Sequence, residues 1–269
     1  MFIQTRIPRQ GAASTMFSTL TFNMQNGQLW DDASPDDTPV DLDASVAFIQ
    51  EQDCDIVFLQ EVECGFEGGG QIEPPPNYEF LRSRLPEYDA VFGYPLKNPL
   101  ELPFGLGLAI FSKTPLRSFS RIDLPPADIR FEYAGIERRP SHRLLISAET
   151  EIEGRAVRLI NTHLQAFFMI KASSNDHREQ RDLVEEELRR SGEPTLLAGD
   201  FNSSPEETLL AQFGEAGFRT AQADQVTWKR MPFVVDHIFY NAPFRLESSR
   251  VVPTKASDHD AVRAEFSFV

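Results

Sequence analysis

The sequence has 269 residues, 41% of them hydrophobic, which is enough for one large domain with a substantial core. Its formal net charge of −15 argues against a broad basic surface for duplex nucleic acid, although a local basic cleft is compatible with it. The two cysteines, Cys54 and Cys64, cannot form a disulfide scaffold and lack metal-finger spacing, so we expect free thiols.

The N-terminal residues 1–16 contain charges but no apolar signal-peptide core. No later stretch approaches the roughly 20 apolar residues of a membrane-spanning helix. We therefore expect residues 1–16 to form a disordered tail and residues 17–269 to form a single domain. The sequence predicts a cytoplasmic monomer without a transmembrane segment.

The first half of the chain alternates apolar runs with polar stretches. Phe17–Phe22 alternates as a strand does, and Ile56–Leu59 is short and apolar enough for a buried strand. Val46 and Ile49 mark a short amphipathic helix between them, ending before Asp53. Further predictions are a loop over Gly65–Pro76, strands over Tyr88–Phe92 and Leu106–Phe111, and a long mixed connection over Ser112–Pro140.

The second half begins with a predicted hairpin formed by Leu144–Glu149 and Ala156–Ile160. Asp176–Arg190 is predicted to be an amphipathic helix capped by Ser174–Asn175. The remaining predictions are a buried strand over Pro194–Ala198, a helix over Pro205–Phe213 with Ser204 as its N-cap, and strands over Val234–Tyr240 and Ala261–Phe268.

Asp200 and Asn202 follow directly on the strand predicted at Pro194–Ala198. Gly199 is predicted to permit a backbone turn there. Ligands in α/β folds bind at the carboxyl ends of strands, and two oxygen-bearing side chains suit a hard cation or a phosphate. The pattern Gly-Asp-x-Asn, taken alone, is equally compatible with an ordinary Asx turn.

Other polar residues stand at the ends of other predicted strands. They are Asn23, Glu61, His163, Asp236, Asp258 and His259. Taken singly, Glu61 is compatible with a solvated strand end and His163 with a structural histidine. Because strands of one sheet assemble a site from their ends, the joint occurrence of these residues predicts such a site.

Six short motifs carry these residues in order along the chain. They are Thr21-Phe22-Asn23, Leu59-Gln60-Glu61, Asn161-Thr162-His163-Leu164, Gly199-Asp200-Phe201-Asn202, Asp236-His237-Ile238-Phe239 and Ser257-Asp258-His259. With them, the sequence from about Thr19 to the C-terminus resembles the endonuclease/exonuclease/phosphatase family, which includes deoxyribonuclease I, neutral sphingomyelinases and inositol polyphosphate phosphatases. The resemblance implies an α/β (α+β) fold, a four-layer sandwich of two mixed β-sheets flanked by helices, and a divalent-cation phosphoesterase.

Two positions depart from the pattern of this family. His237 stands where members often have Tyr, and Leu108 stands where they often have Asn. We expect His237 to place an additional imidazole near the site.

The expected cofactor is Mg²⁺ or Mn²⁺. Converging carboxylates would repel one another by roughly 4 kcal/mol per close pair at an effective dielectric of 20, so a cation or a proton is required. Oxygen ligands favour these two ions, and the five histidines lack the paired spacing that would indicate zinc.

The resemblance also implies a role for each site residue. Asn23, Glu61 and Asp258 hold the metal. Asp200 activates or orients the attacking water, Asn202 positions water or phosphate, and His163 donates to a phosphate oxygen or to the leaving group. Asp236 orients His259, an acid/base or electrostatic clamp. Either Asp200 or the Asp236–His259 pair is the base.

The expected substrate is a phosphoester, and a phosphodiester cleaved in a nuclease-like reaction is favoured. Arg138, Arg139 and Arg143 form the densest basic cluster, which is either a solvated loop or, with His237, a weak phosphate-binding patch. A phospholipid head group would instead require an exposed apolar loop, for which Phe167–Ile170 is the candidate, although burial of that run is the simpler interpretation.

Two alternatives to the nuclease-like reaction stay open. An inositol phosphate also fits an acidic protein. A non-catalytic phosphate-binding protein on the same fold is an alternative of another class, and the intact Glu61, Asp200 and His259 argue against it.

Overall fold

The computed structural model describes residues 16–63, 71–97, 100–101 and 106–269. The predicted tail apart from Met16, Cys64, and residues 65–70 of the predicted loop lie outside the described residues. Cys54 is a buried free thiol, as predicted. None of the helices in the described ranges has the length and apolar character needed to cross a membrane.

The strands and α-helices of the described residues are labelled in chain order. They are β1 (Phe17–Asn23), α1 (Leu42–Gln52), β2 (Ile56–Glu63), α2 (Pro76–Arg84), β3 (Asp89–Gly93), β4 (Leu106–Ser112), β5 (Arg117–Leu124), β6 (Phe131–Tyr133), β7 (Ile136–Arg138), β8 (Arg143–Ile152), β9 (Arg155–His163), α3 (Glu179–Arg190), β10 (Thr195–Asp200), α4 (Leu209–Glu215), β11 (Arg219–Thr220), β12 (Asp236–Tyr240), β13 (Phe244–Val252) and β14 (Ala261–Phe268). Short 3₁₀ turns span Gln25–Gly27 and Phe167–Ile170.

Two six-stranded sheets form the centre of the molecule. Their strand orders are β13-β14-β1-β2-β4-β3 and β11-β12-β10-β9-β8-β5. Each sheet contains one parallel pair, β1 with β2 and β9 with β10, among antiparallel neighbours. Strands β6 and β7 form a separate small hairpin. The predicted sandwich of two mixed β-sheets is confirmed.

Alternating side chains of the central strands fill three apolar layers. On β2, Ile56 and Phe58 lie in the core between the sheets, whereas Val57 and Leu59 lie in the core beneath α1 and α2. On β10, Leu197 points to the opposite core, beneath α3 and α4. Because successive strand residues face opposite sides, a continuous apolar run predicts a strand covered on both faces, as found here.

A buried pair of amides joins the two sheets below the site. Gln60 Nε2 donates to Asn161 Oδ1 at 2.8 Å, and Asn161 Nδ2 donates to the carbonyl oxygens of Leu59 and Ala109, each at 2.9 Å. Unpaired amides at this depth would cost free energy, so these bonds fix β2 against β9. They thereby place Glu61 and His163 at the same end of the sandwich.

Two predicted helix starts are wrong for the same reason. Helix α3 begins at Glu179 and not at Asp176, and α4 begins at Leu209 and not at Pro205. The Glu207 carboxylate accepts hydrogen bonds from the Ser173 and Ser203 hydroxyls and from two backbone amides, those of Ser174 and Ser204. The two bonds from Ser173 and Ser174 are long-range and the two from Ser203 and Ser204 are local. Together they hold both segments as turns, and the N-cap of α4 is Thr208 and not Ser204.

The connection predicted over Ser112–Pro140 contains three strands, β5, β6 and β7. Strand β5 is an edge strand whose side chains are mostly exposed, so its sequence carries little apolar signal. Helix α2 and strand β13 were not predicted. The other predicted strands, the hairpin and α1 are confirmed, with ends that differ by a few residues.

Candidate active site

The predicted site residues converge at one end of the sandwich. Strands β1, β2, β9 and β10 end there, and the antiparallel strand β12 begins there, with Asp200 opposite Asp236 in the register. The Ser257-Asp258-His259 segment precedes β14, which runs antiparallel to β1 and therefore starts beside the end of β1. The sheet topology thus brings together residues that are up to 236 positions apart in sequence, Asn23 and His259.

Asn23 links two of the carboxylates. Its Nδ2 donates to Glu61 Oε1 at 3.2 Å and to Asp200 Oδ2 at 3.0 Å. Its Oδ1 accepts from the backbone amide of Gln25 at 3.1 Å. Glu61 has a φ of +49° at a register shift between β2 and β4, and a bulge of this kind re-aims a side chain. The bulge explains how a residue of a buried strand faces the site.

Asp200 is held by a turn of its own. Its Oδ1 accepts from the backbone N–H of Asn202 at 2.9 Å, and Asn202 has a φ of +46°. Asn202 Nδ2 donates to the carbonyl oxygen of Leu164 at 3.1 Å, which ties this turn to the end of β9. The Asx turn and the assembled site are therefore both present.

Gly199 lies inside β10 and does not form the predicted turn. A Cβ at this position would lie 2.0 Å from the carbonyl oxygen of Thr162, on the neighbouring strand β9. Only glycine permits this approach, which sets Asp200 beside His163.

The two site imidazoles have opposite partners. His259 Nδ1 lies 2.8 Å from Asp236 Oδ2, whereas His163 Nδ1 lies 3.3 Å from an N–H group of Arg143. The Nε2 atoms of His163 and His259 lie 3.5 and 3.8 Å from Asp200 Oδ2. The Asp200 carboxylate therefore lies between the two rings.

These partners separate the protonation states of the rings. Burial, reinforced by the charge of Arg143, lowers the pKa of His163 well below its usual value. Burial alone would also lower the pKa of His259, but Asp236, Asp200 and Asp258 outweigh it and raise this pKa to about 10. At neutral pH, His163 is neutral and His259 is a cation.

The carboxylates are shifted towards their protonated forms. Burial and the charge of Asp258 raise the pKa of Glu61, and burial and the charge of Asp236 raise the pKa of Asp200. Asp236 Oδ1 is buried and accepts no hydrogen bond from the described residues. A bound cation would stabilise a buried cluster of carboxylates of this kind.

The loop over residues 227–233 supports three site residues and was missed by sequence reasoning. Trp228 Nε1 and Arg230 Nε donate to Asp258 Oδ2 at 3.2 and 2.7 Å. The Thr227 hydroxyl oxygen accepts from the backbone N–H of Asp236 at 3.1 Å, and the Trp228 ring stacks on His259 at 6.1 Å. No periodicity marks these positions, because their partners are distant in sequence.

Three half-buried rings form a wall beside His259, which we call the aromatic wall: Phe168, Trp228 and Phe233. Phe168 lies 5.6 Å from Trp228 and 5.1 Å from Phe233 between ring centroids. Within the candidate lipid-binding run, Phe167 is buried, Phe168 and Ile170 are half-buried, and Met169 is exposed.

Residues 20–259 match the Endonuclease/Exonuclease/phosphatase family. The chain belongs to this family. Its members are phosphoester hydrolases, and the six motifs that suggested the resemblance lie at the strand ends described above.

Known proteins are similar to this chain in sequence or in fold. The UPF0294 protein of Vibrio campbellii (strain ATCC BAA-1116) is 28% identical over 121 residues, a match that spans 42% of this chain and 41% of that protein. The endonuclease/exonuclease/phosphatase of Beutenbergia cavernae DSM 12333 superimposes with a TM-score of 0.70 at 21% identity, covering 94% of this chain and 72% of that one. The human Nocturnin catalytic domain, solved with a bound sulfate anion, gives 0.66 at 20% identity, covering 94% and 95%.

One residue predicted for this endonuclease/exonuclease/phosphatase site lies elsewhere. His237 Nδ1 is 3.1 Å from the carbonyl oxygen of Gln222 and 3.0 Å from the Thr220 hydroxyl, and its ring packs against Phe201 and Phe239. Because it follows Asp236 on a strand, its side chain points to the opposite face of the sheet. The expectation of an additional imidazole at the site is wrong.

The predicted basic cluster is divided. Arg143 contacts His163, whereas an N–H group of Arg138 lies 3.4 Å from the carbonyl oxygen of Glu101 and Arg139 bridges to the same residue through its backbone. Leu108, which stands where family members often have Asn, packs in the core between the sheets.

The site can hold a metal ion. One ligand atom each from Asp200, Asp236 and His259 lies within 4.8 Å of the others, all three residues being buried. Glu61 and Asp258 stand next to this group, as their effects on one another and on His259 show.

Proposed function

We propose that this protein is a divalent-metal-dependent phosphodiesterase that cleaves its substrate by attack of water, in a nuclease-like reaction. The observation that carries this proposal is a buried cluster of carboxylates: Asp200 and Asp236 have oxygens within 4.8 Å of each other and of His259, and Glu61 and Asp258 lie beside them. A buried group with two carboxylates and one unpartnered oxygen, Asp236 Oδ1, has no structural purpose in a core.

The residues present fit Mg²⁺ or Mn²⁺. We assign the ion to the side of the site formed by Glu61 and Asp258, with Asn23 fixing the Glu61 carboxylate through its amide. When bound, the ion would polarise a phosphoryl oxygen and neutralise charge that develops on it. Hard oxygen ligands favour these two ions over zinc.

Asp200 is the favoured base for the attacking water. In the metal-free protein the alternative base, His259, already carries a proton at neutral pH, because Asp236, Asp200 and Asp258 raise its pKa to about 10. The raised pKa of Asp200, caused by burial and by Asp236, makes its carboxylate a stronger proton acceptor than an ordinary aspartate. His259, held by Asp236, then acts as a cationic clamp or as the acid for the leaving group.

His163 acts as a neutral hydrogen-bond donor to a phosphate oxygen or to the leaving group. Its Nε2 points to the space beside Asp200, at 3.5 Å from Oδ2. Asn202 fixes the Asp200 carboxylate through its backbone N–H and so orients the base.

The aromatic wall favours a substrate with planar groups. Base stacking on an aromatic side chain is worth about 1–3 kcal/mol and requires unpaired bases. The net charge of −15 opposes binding of a long duplex. Both features support short or single-stranded nucleotide chains over a phospholipid head group, for which the Phe167–Ile170 run exposes too little apolar surface.

A substrate panel tests the proposal. After removal of metal with a chelator, activity should be absent and should return with Mg²⁺ or Mn²⁺. The panel compares bis(p-nitrophenyl) phosphate, a single-stranded and a duplex oligonucleotide, sphingomyelin vesicles and an inositol phosphate. We expect the single strand to be cleaved fastest among the four biological substrates. Full activity of the metal-stripped protein, or hydrolysis of monoesters alone, would contradict the proposal.

The aromatic wall has its own matched variants. Phe168→Ala should raise KM for the single-stranded oligonucleotide about 5- to 100-fold, the equivalent of one lost stacking contact. KM for bis(p-nitrophenyl) phosphate should change less. Phe119→Ala, at an exposed phenylalanine on β5, is the control. A larger effect on vesicle hydrolysis than on the oligonucleotide would favour the lipid alternative.

A further inference from the structure

Arg143 is placed to act on His163 and not on the substrate. Arg143 begins β8, the antiparallel neighbour of β9, on which His163 is the last residue. One terminal N–H group of Arg143 lies 3.3 Å from Nδ1 of His163. His163 is only 6% exposed, so this contact lies in a buried part of the site.

The contact between the Arg143 guanidinium and the His163 imidazole determines which ring nitrogen carries the proton. A guanidinium has only donors, so a hydrogen bond between Arg143 and Nδ1 requires Nδ1 to be the acceptor. An imidazole whose Nδ1 accepts carries its proton on Nε2 and is neutral. Nε2 is the atom that faces the site, 3.5 Å from Asp200 Oδ2 and 3.9 Å from Glu61 Oε1.

We propose that Arg143 is a positioning residue that fixes His163 as its Nε2–H tautomer, so that this N–H is always directed at the reacting phosphate. This proposal rests on the proposed function, because that function gives His163 its role as a hydrogen-bond donor to the substrate. It replaces the sequence-based expectation that Arg143 binds phosphate directly.

The contrast with His259 shows why an arginine suits this position. Asp236 accepts from His259 Nδ1 and stabilises a charged ring. A carboxylate at Nδ1 of His163, in the place of Arg143, would do the same and would put a second cation into the site. The Arg143 guanidinium supplies its positive charge on the far side of the ring and strengthens the Nε2–H as a donor, since it withdraws electron density from Nδ1.

The tautomer can be measured without turnover. In protein labelled with ¹⁵N-histidine, two-bond correlation spectra separate protonated from unprotonated ring nitrogens, and His163→Gln assigns the His163 signals. We expect His163 of the wild type to show a protonated Nε2 and an unprotonated Nδ1 with or without Mg²⁺. In Arg143→Met, which keeps an apolar stem, both tautomers should appear. Arg130→Met is the control, since Arg130 pairs with Glu137 on the exposed β6–β7 hairpin.

Kinetics on bis(p-nitrophenyl) phosphate provide the second readout. We expect Arg143→Met to lower kcat about 10- to 100-fold with little change in KM, because the partner of a functional histidine is typically worth that much. In a His163→Gln background the same substitution should cost less than about 3-fold, since the two residues act as a unit.

Two results would overturn the proposal. One is a protonated Nδ1 on His163 in the wild-type protein, which would exclude Arg143 as its donor even if Arg143→Met failed to fold. The other is a raised KM with unchanged kcat in Arg143→Met, which would show that Arg143 binds the phosphate. If no phosphodiester is hydrolysed by the wild type, the proposed function fails, while the tautomer measurement still decides the arrangement of the ring.

Discussion

The chemistry of the site depends on how each imidazole is held. Asp236 accepts from Nδ1 of His259, and Arg143 donates to Nδ1 of His163, so two identical side chains become a cation and a neutral donor. When the surroundings of two titratable groups move their pKa values apart in this way, they indicate which group can give up a proton and which cannot.

The Asp236–His259 pair should behave as one unit in turnover. His259→Ala and Asp236→Asn are each expected to lower kcat at least about 10²-fold, because the carboxylate both orients the ring and stabilises its charge. The double variant should be little slower than the slower single variant. Turnover measured for the four proteins checks this, and losses that multiply would show that the two residues act separately.

The same pair should give the metal-free protein a specific dependence of stability on pH. The pKa of His259 is raised to about 10, above about 6.5 for an unfolded histidine, so its stabilising contribution is complete below pH 6.5 and is lost as the pH rises to 10. The raised pKa values of Glu61 and Asp200 act with the same sign, because ionisation of these buried carboxylates destabilises the fold as the pH rises from an unfolded pKa of about 4 through the folded one, about 7 for Asp200.

Urea unfolding with a chelator present, at pH 7 and at pH 9.5, measures this dependence. The wild type should lose more unfolding free energy between the two values than His259→Gln does. Lysines and tyrosines titrate alike in both proteins, so the difference between them reports on His259 together with the carboxylates that contact it. An equal loss in the two proteins would show that the ring is not charged in the folded state.

At the scale of the elements, the site depends on the spacing between two parallel strands. Gly199→Ala on β10 would place a methyl group 2.0 Å from the carbonyl oxygen of Thr162 on β9. We expect it to lower the free energy of unfolding by about 1–3 kcal/mol or more, and to lower activity by moving Asp200. Gly192→Ala, with open space around the added methyl group, is the control and should be nearly neutral. Thermal unfolding of both variants provides the comparison.

Elements with a local apolar signal were predictable from the sequence. The buried strands β2, β4, β10 and β14 carry continuous or alternating apolar runs, and site motifs stand at the ends of β2 and β10 and directly before β14. Strands β5 and β13 were missed because their side chains are largely exposed, and α2 was missed because its apolar residues are few. A strand or helix that is mostly exposed lacks the periodic pattern of apolar residues by which such elements are predicted.

The remaining errors come from contacts between distant residues. Glu207 accepts from the backbone N–H of Ser174, 33 positions away, and holds the segment before α3 as a turn, while Trp228 supports Asp258 from 30 positions away. The alternation of β12 would have placed His237 on the face opposite Asp236, but the family pattern suggested otherwise. Tertiary partners of this kind carry no signal in a single sequence.

At the scale of the whole molecule, 41 acidic and 26 basic side chains leave a net charge of −15. Such a field attracts divalent cations to the surface in general, so stabilisation by a cation does not by itself demonstrate a site. Specific binding at the acidic end of the sandwich must therefore be separated from screening of this charge.

The Glu61→Gln variant separates specific metal binding from screening of the net charge. In the wild type, Mg²⁺ or Mn²⁺ at a hundredfold excess over Kd should stabilise the fold by about 2.7 kcal/mol, seen as a rise in Tm. The variant should fold at least as well without metal, because burial and Asp258 make the Glu61 carboxylate costly, but it should lose most of that rise. Glu51→Gln, at an exposed residue of α1, removes the same charge from the surface and should keep the full rise. An equal rise in Tm for all three proteins would assign the effect to screening and remove Glu61 from the metal site.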